Sequence, residues 1–327
     1  MKIVQLSSLA LIFSAVTYAL PAAAADAAKD YPSRPIRLIV PNGPGSSVDT
    51  LTRIVANKLT EVLGQQLVVD NRAGAGGVIG MEIGKEATPD GYTVITATTA
   101  AMTISRLMLK NPPYDPIKDY DPVVEFASTL NVLVVNPKLP IKTLQDFIAY
   151  AKNPKGQFNM ASAGVGSQSH LAGAYFQQEA HIKSLHVPYK GGGASSGSVV
   201  AGESQWSLIP SAAAMRHVSA GRMRAIAETL PKRTALLPGI PAVAEAIPGF
   251  DYSGWQGFVV PKGTPKAIIE KLRAAVAKTM ESPEVKKALA FQATEVDVRG
   301  PAEFRKVIAE SMVKNAKLVK SLGLAAN

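Results

Sequence analysis

Apolar positions along this chain alternate between two spacings. Ile36 to Val40 is an apolar run of strand length, broken only by Arg37, and Pro41 to Gly45 turns the chain behind it. From Val48 to Leu63, the residues Leu51, Ile54, Val55, Leu59 and Val62 fall on one side of a helix that Gly64 ends. The alternation continues. Strands are expected at Gln66 to Val69, Tyr92 to Ala97, Val132 to Val135, Asn159 to Ser162, Met223 to Glu228 and Phe258 to Val260. Helices are expected at Val78 to Lys85, Leu144 to Ala151, Leu171 to Glu179, Lys266 to Met280 and Pro301 to Leu322, with a short one near Pro283. Thr143 can cap the second of these, with Asp146 in its first turn. Pro112 to Pro122 reads as a loop rich in Pro and Asp. This order of elements predicts an α/β protein with parallel sheets.

Small, glycine-containing loops fall at three of the strand-to-helix junctions: Pro41 to Asp49, Ala163 to His170 and Lys190 to Gly197. A helix N-terminus carries unpaired backbone N–H groups and the positive end of the macrodipole. Small residues let an anion reach those groups, so each junction is a candidate carboxylate or phosphate site. A tight turn alone explains any one of them. Three together point to a ligand cleft at the carboxyl ends of strands.

The N-terminus adds a compartment. Lys2, the apolar stretch through Leu20 and Ala23-Ala24-Ala25 before Asp26 form the pattern of an export signal over residues 1–25. The stretch is too short and too interrupted for a membrane span, and there is no cysteine to carry a lipid. A periplasmic location is therefore expected, with about 300 residues left after cleavage, enough for two domains. The chain has no Cys, which excludes disulfides, thiolate metal sites and a cysteine nucleophile. Its formal charge of +10 becomes +9 when Lys2 leaves. Lys and Arg are scattered among Asp and Glu without a basic run, and export removes nucleic acid as a partner.

Motifs for catalysis do not assemble. Gly193-Ala194-Ser195-Ser196-Gly197 matches the G-x-S-x-G nucleophile elbow. After Ser195 the only histidine is His217, and the only acid between them is Glu203. That crowds into one stretch partners that hydrolases draw from separate late strands. The four histidines, His170, His181, His186 and His217, lack metal-site spacing, and neither metal nor cofactor is expected. His170 opens a helix and fits a ligand contact and a capping residue equally well. Gly74-Ala75-Gly76-Gly77 is half a dinucleotide fingerprint, with Ile79 where the third glycine would fall. Binding without chemistry is the economical reading; an exported serine hydrolase using Ser195 and a ligand-sensing module for a signalling system are the alternatives.

From Tyr31 onwards the chain resembles the Bug family, the solute receptors of tripartite tricarboxylate transporters. The segments that carry the resemblance are Tyr31 to Arg37, Val40-Pro41-Asn42-Gly43-Pro44-Gly45 with Asp49, Asn71 to Gly77, and Pro89-Asp90-Gly91-Tyr92-Thr93. Pro113 to Pro116, Ser162 to Ser167, His170 to Gly173 and His186 to Gly191 continue it in order. The resemblance implies a type II periplasmic-binding-protein fold, with two lobes, a hinge and a ligand cleft between them. Lobe 1 would comprise residues 26–127 and 247–327, and lobe 2 residues 128–246. It also implies a monomer that hands a small carboxylate to membrane subunits of the transporter. The candidate ligand contacts are Asn42, Gly43, Pro44, Gly45, Ser46 and Ser47, with Thr98, and Ala163, Gly164, Gly166, Ser167 and His170. Ile209 and Pro210 stand where relatives carry polar residues, so an apolar or aromatic mono- or dicarboxylate is expected if they form the wall. They fit strand core as well. The neighbourhood of Trp255 is a further candidate for that wall.

Overall fold

A computed structural model describes residues 29–153 and 156–325. The expected export signal lies outside the described residues. The first strand, β1 (Ile36–Val40), shows how the chain builds a sheet covered on both faces. Leu38 and Ile39 are both fully buried but belong to different apolar clusters, because successive strand side chains point to opposite faces. Beside it lie β2 (Leu67–Asn71) and β3 (Thr93–Thr98), both parallel to β1. Then come β10 (Gly254–Pro261), β4 (Tyr120–Thr129) and β11 (Glu295–Arg299), in the order β11-β4-β10-β3-β1-β2.

A second sheet runs β7-β6-β8-β5-β9, with β5 (Asn131–Val135), β6 (Asn159–Ser162), β7 (Leu185–Pro188), β8 (Trp206–Pro210) and β9 (Arg224–Glu228). One face packs Leu133, Val135, Phe147, Phe158, Phe176 and Trp206 into an apolar and aromatic core. The other packs Val132, Val134, Ala161, Val199 and Ile209.

The sheets are mixed, which corrects the all-parallel expectation. β10 is antiparallel to β3 and β4, and β5 is antiparallel to β8 and β9. The cause is connectivity. β4 ends at Thr129 and β5 starts at Asn131, so the chain passes from one sheet to the other without a crossover helix, then returns through β10. The ten residues of β4 also replace the end of the expected Pro112 to Pro122 loop. Pro122 disguised this strand. It sits at a register irregularity opposite Val259, where a residue without an N–H is tolerated.

Nine helices among the described residues flank the sheets. α1 (Ser47–Leu63), α2 (Val78–Lys85), α3 (Leu144–Lys152) and α4 (Gln168–Glu179) follow in sequence, and α5 is Gly192–Ala201. The rest are α6 (Ser211–Val218), α7 (Lys266–Glu281), α8 (Pro283–Phe291) and α9 (Pro301–Ser321). α5 corrects the expected third loop: only Lys190 and Gly191 precede the helix, and Gly193 to Gly197 are inside it. Because α9 carries Phe304 and Ile308 into the first sheet's core and Val319 into the second's, it ties the two bodies together.

Packing around β10 is tight enough to be tested. A Cβ at Gly257 would lie 2.5 Å from the Val124 carbonyl oxygen and 2.6 Å from Phe304 Cζ. Gly257→Ala is expected to destabilise the fold by about 1–3 kcal/mol, since neither the backbone nor the buried ring can move away. An unchanged urea midpoint would show that the core around Phe304 is looser than described.

Candidate functional site

The strands of each sheet that run parallel to one another end at one cavity of about 510 Å³. From the first sheet come Pro41 to Gly43 and Ser46 to Val48 behind β1, Ala73 to Gly77 behind β2, and Thr98 and Ala100 at the end of β3. From the second come Ala163 to Val165 and Ser167 to Ser169 behind β6, Tyr189 to Gly192 behind β7, and Ile209, Pro210 and Ala213 around the end of β8. The carboxyl ends of parallel strands gather ligand sites because the helices that follow present their N-termini there.

Two of those N-termini are built alike. Ser46 caps α1, its hydroxyl accepting from Asp49 N–H at 3.3 Å, and Ser167 caps α4, accepting from His170 N–H at 3.2 Å. Each cap satisfies the third N–H of its helix. The first two, on Ser47 and Val48 and on Gln168 and Ser169, have no carbonyl one turn back. All four residues line the cavity.

The first loop is held rigidly. Asp49, 3 % exposed, accepts from Gly45 N–H at 2.8 Å, from Arg53 Nε at 2.9 Å and from Asn71 Nδ2 at 2.9 Å. Asn71 Nδ2 also donates to the Asn42 carbonyl at 2.9 Å, so the end of β2 fixes the turn behind β1. Gly45, at φ +71°, supplies the left-handed residue this turn requires. Its carbonyl accepts from Arg216 Nη2 of α6 at 2.7 Å, a bond that crosses from one body to the other. Gln256, buried in β10, donates to the Val48 carbonyl at 3.1 Å and to Thr52 Oγ1 at 2.9 Å, anchoring the start of α1.

The second loop rests on two histidines. His170 is buried, and its Nδ1 accepts from Gly166 N–H at 3.2 Å. Its ring stacks on His186 with centroids 4.0 Å apart, and His186 Nε2 lies 2.6 Å from Ser162 Oγ. Burial, with the adjacent His186, pushes the His170 imidazole down to about 4. Burial lowers His186 as well. His170 is therefore neutral at pH 7, which its acceptor role requires. Ser105, on the short turn Ser105–Met108 after β3, donates to the Gly76 carbonyl at 2.9 Å and the Gly166 carbonyl at 3.2 Å.

Of the residues expected from sequence, Asn42, Gly43, Ser46, Ser47, Thr98, Ala163, Gly164, Ser167, Ile209 and Pro210 come together on the cavity wall. Pro44, Gly45, Gly166 and His170 are not on it. Gly45, Gly166 and His170 stand one layer back and fix the wall through the bonds just described. Ile209 is both wall and core: it is 2 % exposed and packs with Val132, Val199 and Ala213. Trp255 is core. It meets Phe304 edge-on at 5.1 Å and donates to Ser311 Oγ, so it forms no part of the wall. Sequence reasoning also left out Ala73 to Gly77, Gln168 and Ser169. The first of these was visible as a fourth glycine-rich junction, set aside because it failed as a dinucleotide motif.

Among the described residues, Lys190 is the only charged one lining the cavity. Ser195 sits inside α5, fully buried, and neither its hydroxyl nor His217 Nδ1 has a hydrogen-bond partner, so the pair forms no nucleophile and base. No group of three or more His, Asp or Glu side chains able to hold a metal occurs among the described residues.

Two bodies with a cleft between facing strand ends define the class of periplasmic binding proteins. Residues 51–324 match the family described as tripartite tricarboxylate transporter family receptor, and the chain belongs to it. It is similar to Protein BugT of Bordetella pertussis, 34% identical over 303 residues that cover 92% of this chain and 93% of that one. Among solved structures it is similar to R. palustris Rpa4515 with adipate, with TM-score 0.87 and 30% identity over 91% of this chain and 100% of the other. It is also similar to the periplasmic binding protein BugD, with TM-score 0.86 and 27% identity over 91% and 100%.

The buried histidine makes a pH prediction. Between about pH 6.5 and 4 the unfolded chain protonates His170 while the folded chain does not, so its contribution is complete above that window and falls as pH drops through it. The slope is at most about 1.4 kcal/mol per pH unit. His170→Asn, which can keep an acceptor for Gly166, should flatten the fall in urea stability between pH 7 and 4.5. Identical slopes for both proteins would show that His170 takes up its proton without loss.

Proposed function

We propose that this protein captures a small carboxylate in the periplasm and delivers it to the membrane subunits of a tripartite tricarboxylate transporter, acting as a monomer without turnover. The observation that carries this reading is the pairing of two helix N-termini, one from each sheet, across a cavity with almost no charged lining. Such a site favours an anion small enough to touch both sets of N–H groups. Adipate, present with the structurally similar Rpa4515, is an anion of that kind.

The division into lobes follows from the same reading. Residues 26–127 with 247–327, and residues 128–246, would move as two bodies that close on the ligand. Arg216 reaching Gly45, and Ser105 reaching the loops behind β2 and β6, are the contacts a closed cleft would make. Closure is needed energetically. Helix dipoles supply about 0.3–1 kcal/mol each, and up to ~2 when partly buried. Micromolar affinity requires about −8 kcal/mol, so apolar contacts from Ile209, Pro210 and Ala213 and the bonds between lobes must add the rest.

A thermal-shift screen over aliphatic, hydroxy, amino and aromatic acids tests the proposal, because a ligand that binds only the folded form raises the melting point with its concentration. Stabilisation by one or more carboxylates, strongest for those with an apolar or aromatic body, is expected. No response to any carboxylate, or hydrolysis of an ester substrate that Ser195→Ala abolishes, would overturn it.

A further inference from the structure

We infer that the N-terminus of α5 is a second anion subsite of this cavity, so that the ligand is a dicarboxylate gripped at both ends. The inference rests on the carboxylate-binding reading above and goes beyond it by fixing the number of charges on the ligand. α5 is a ten-residue helix that begins at Gly192 with Gly191 as its cap, and no side chain satisfies its first N–H groups. Ser195 N–H already returns to the Gly191 carbonyl, which leaves those of Gly192, Gly193 and Ala194 without a partner one turn back. A Cβ at Gly191, Gly192 or Gly193 would meet nothing within 4 Å, so backbone approach there is open.

Two side chains single this end out. Lys190, immediately before the cap, is the one cation among the described residues that line the cavity. Ser196 stands four residues after Gly192, hence on the same helix face, and both line the cavity. Ser196 is fully buried, yet its hydroxyl has no hydrogen-bond partner. A buried hydroxyl left unpaired is costly, and a helical serine ordinarily escapes the cost by bonding a carbonyl one turn back. Ser196 does not. A carboxylate at the head of α5 would supply the missing acceptor while taking the free N–H groups and the Lys190 ammonium. The first carboxylate would occupy the paired N-termini of α1 and α4, and the apolar wall at Ile209, Pro210 and Ala213 would hold the body between.

The test compares acids that share a skeleton and differ by one carboxylate: adipate against hexanoate, and terephthalate against benzoate, titrated by calorimetry into wild type, Lys190→Met and Ser196→Ala. Lys190 is exposed and Ser196 makes no bond, so both variants should keep the wild-type melting point without ligand. In the wild type at least one diacid is expected to bind about tenfold tighter than its monoacid partner, a difference of about 1.4 kcal/mol. Each variant is expected to lose most of that advantage and leave monoacid affinity unchanged. Equal affinity within both wild-type pairs, or equal weakening of both members by each variant, would remove the second subsite and leave the carboxylate reading intact. Failure of every acid to bind would overturn both.

Discussion

The first two N–H groups of an α-helix have no carbonyl behind them, and this constraint organises the protein. When α1 and α4 start at one cavity, three N–H groups from each helix and two positive dipole ends meet there. Serine caps satisfy one donor on each helix, and the rest give the site its sign. On the proposed reading the lining would recognise an anion without a bidentate guanidinium clamp, since no Arg lines the cavity among the described residues. Neutral donors stabilise an anion without cancelling its charge, so on that reading selection among anions would fall to the apolar wall.

Backbone donors are useful only where the backbone is fixed. Asp49 and Asn71 hold the turn behind β1 to the end of β2, Gln256 holds the start of α1 to β10, and the His170–His186 stack holds the turn behind β6. None of Asp49, Asn71, Gln256, His170 or His186 lines the cavity. Their polar groups are spent on the loops, which fixes a wall of Gly, Ala and Ser in place.

Much of this was legible in the sequence because it depends on local chemistry. Periodicity located α2 at Val78–Lys85, and Gly64 marked the end of α1 through its left-handed conformation. Thr143 caps α3, with Asp146 in its first turn, as their positions indicated. What the sequence hid depends on partners far along the chain. β4 was obscured by a proline that only the bulge opposite Val259 accommodates. The glycines at 191 to 193 read as a loop because glycine disfavours helix, whereas Val199 of the same helix packs into the second sheet's core. Arg216 meets Gly45 across a separation of 171 residues, and no local pattern announces such a bond.

The central claim is that backbone N–H groups at facing helix N-termini hold the anion. A crystal structure of the protein with adipate or terephthalate bound tests it most directly. Carboxylate oxygens are expected about 2.7–3.2 Å from the backbone nitrogens at the heads of α1 and α4, directly or through one water. A carboxylate bound instead to Arg or Lys side chains outside this cavity, with Ser47, Val48, Gln168 and Ser169 facing only solvent, would contradict it.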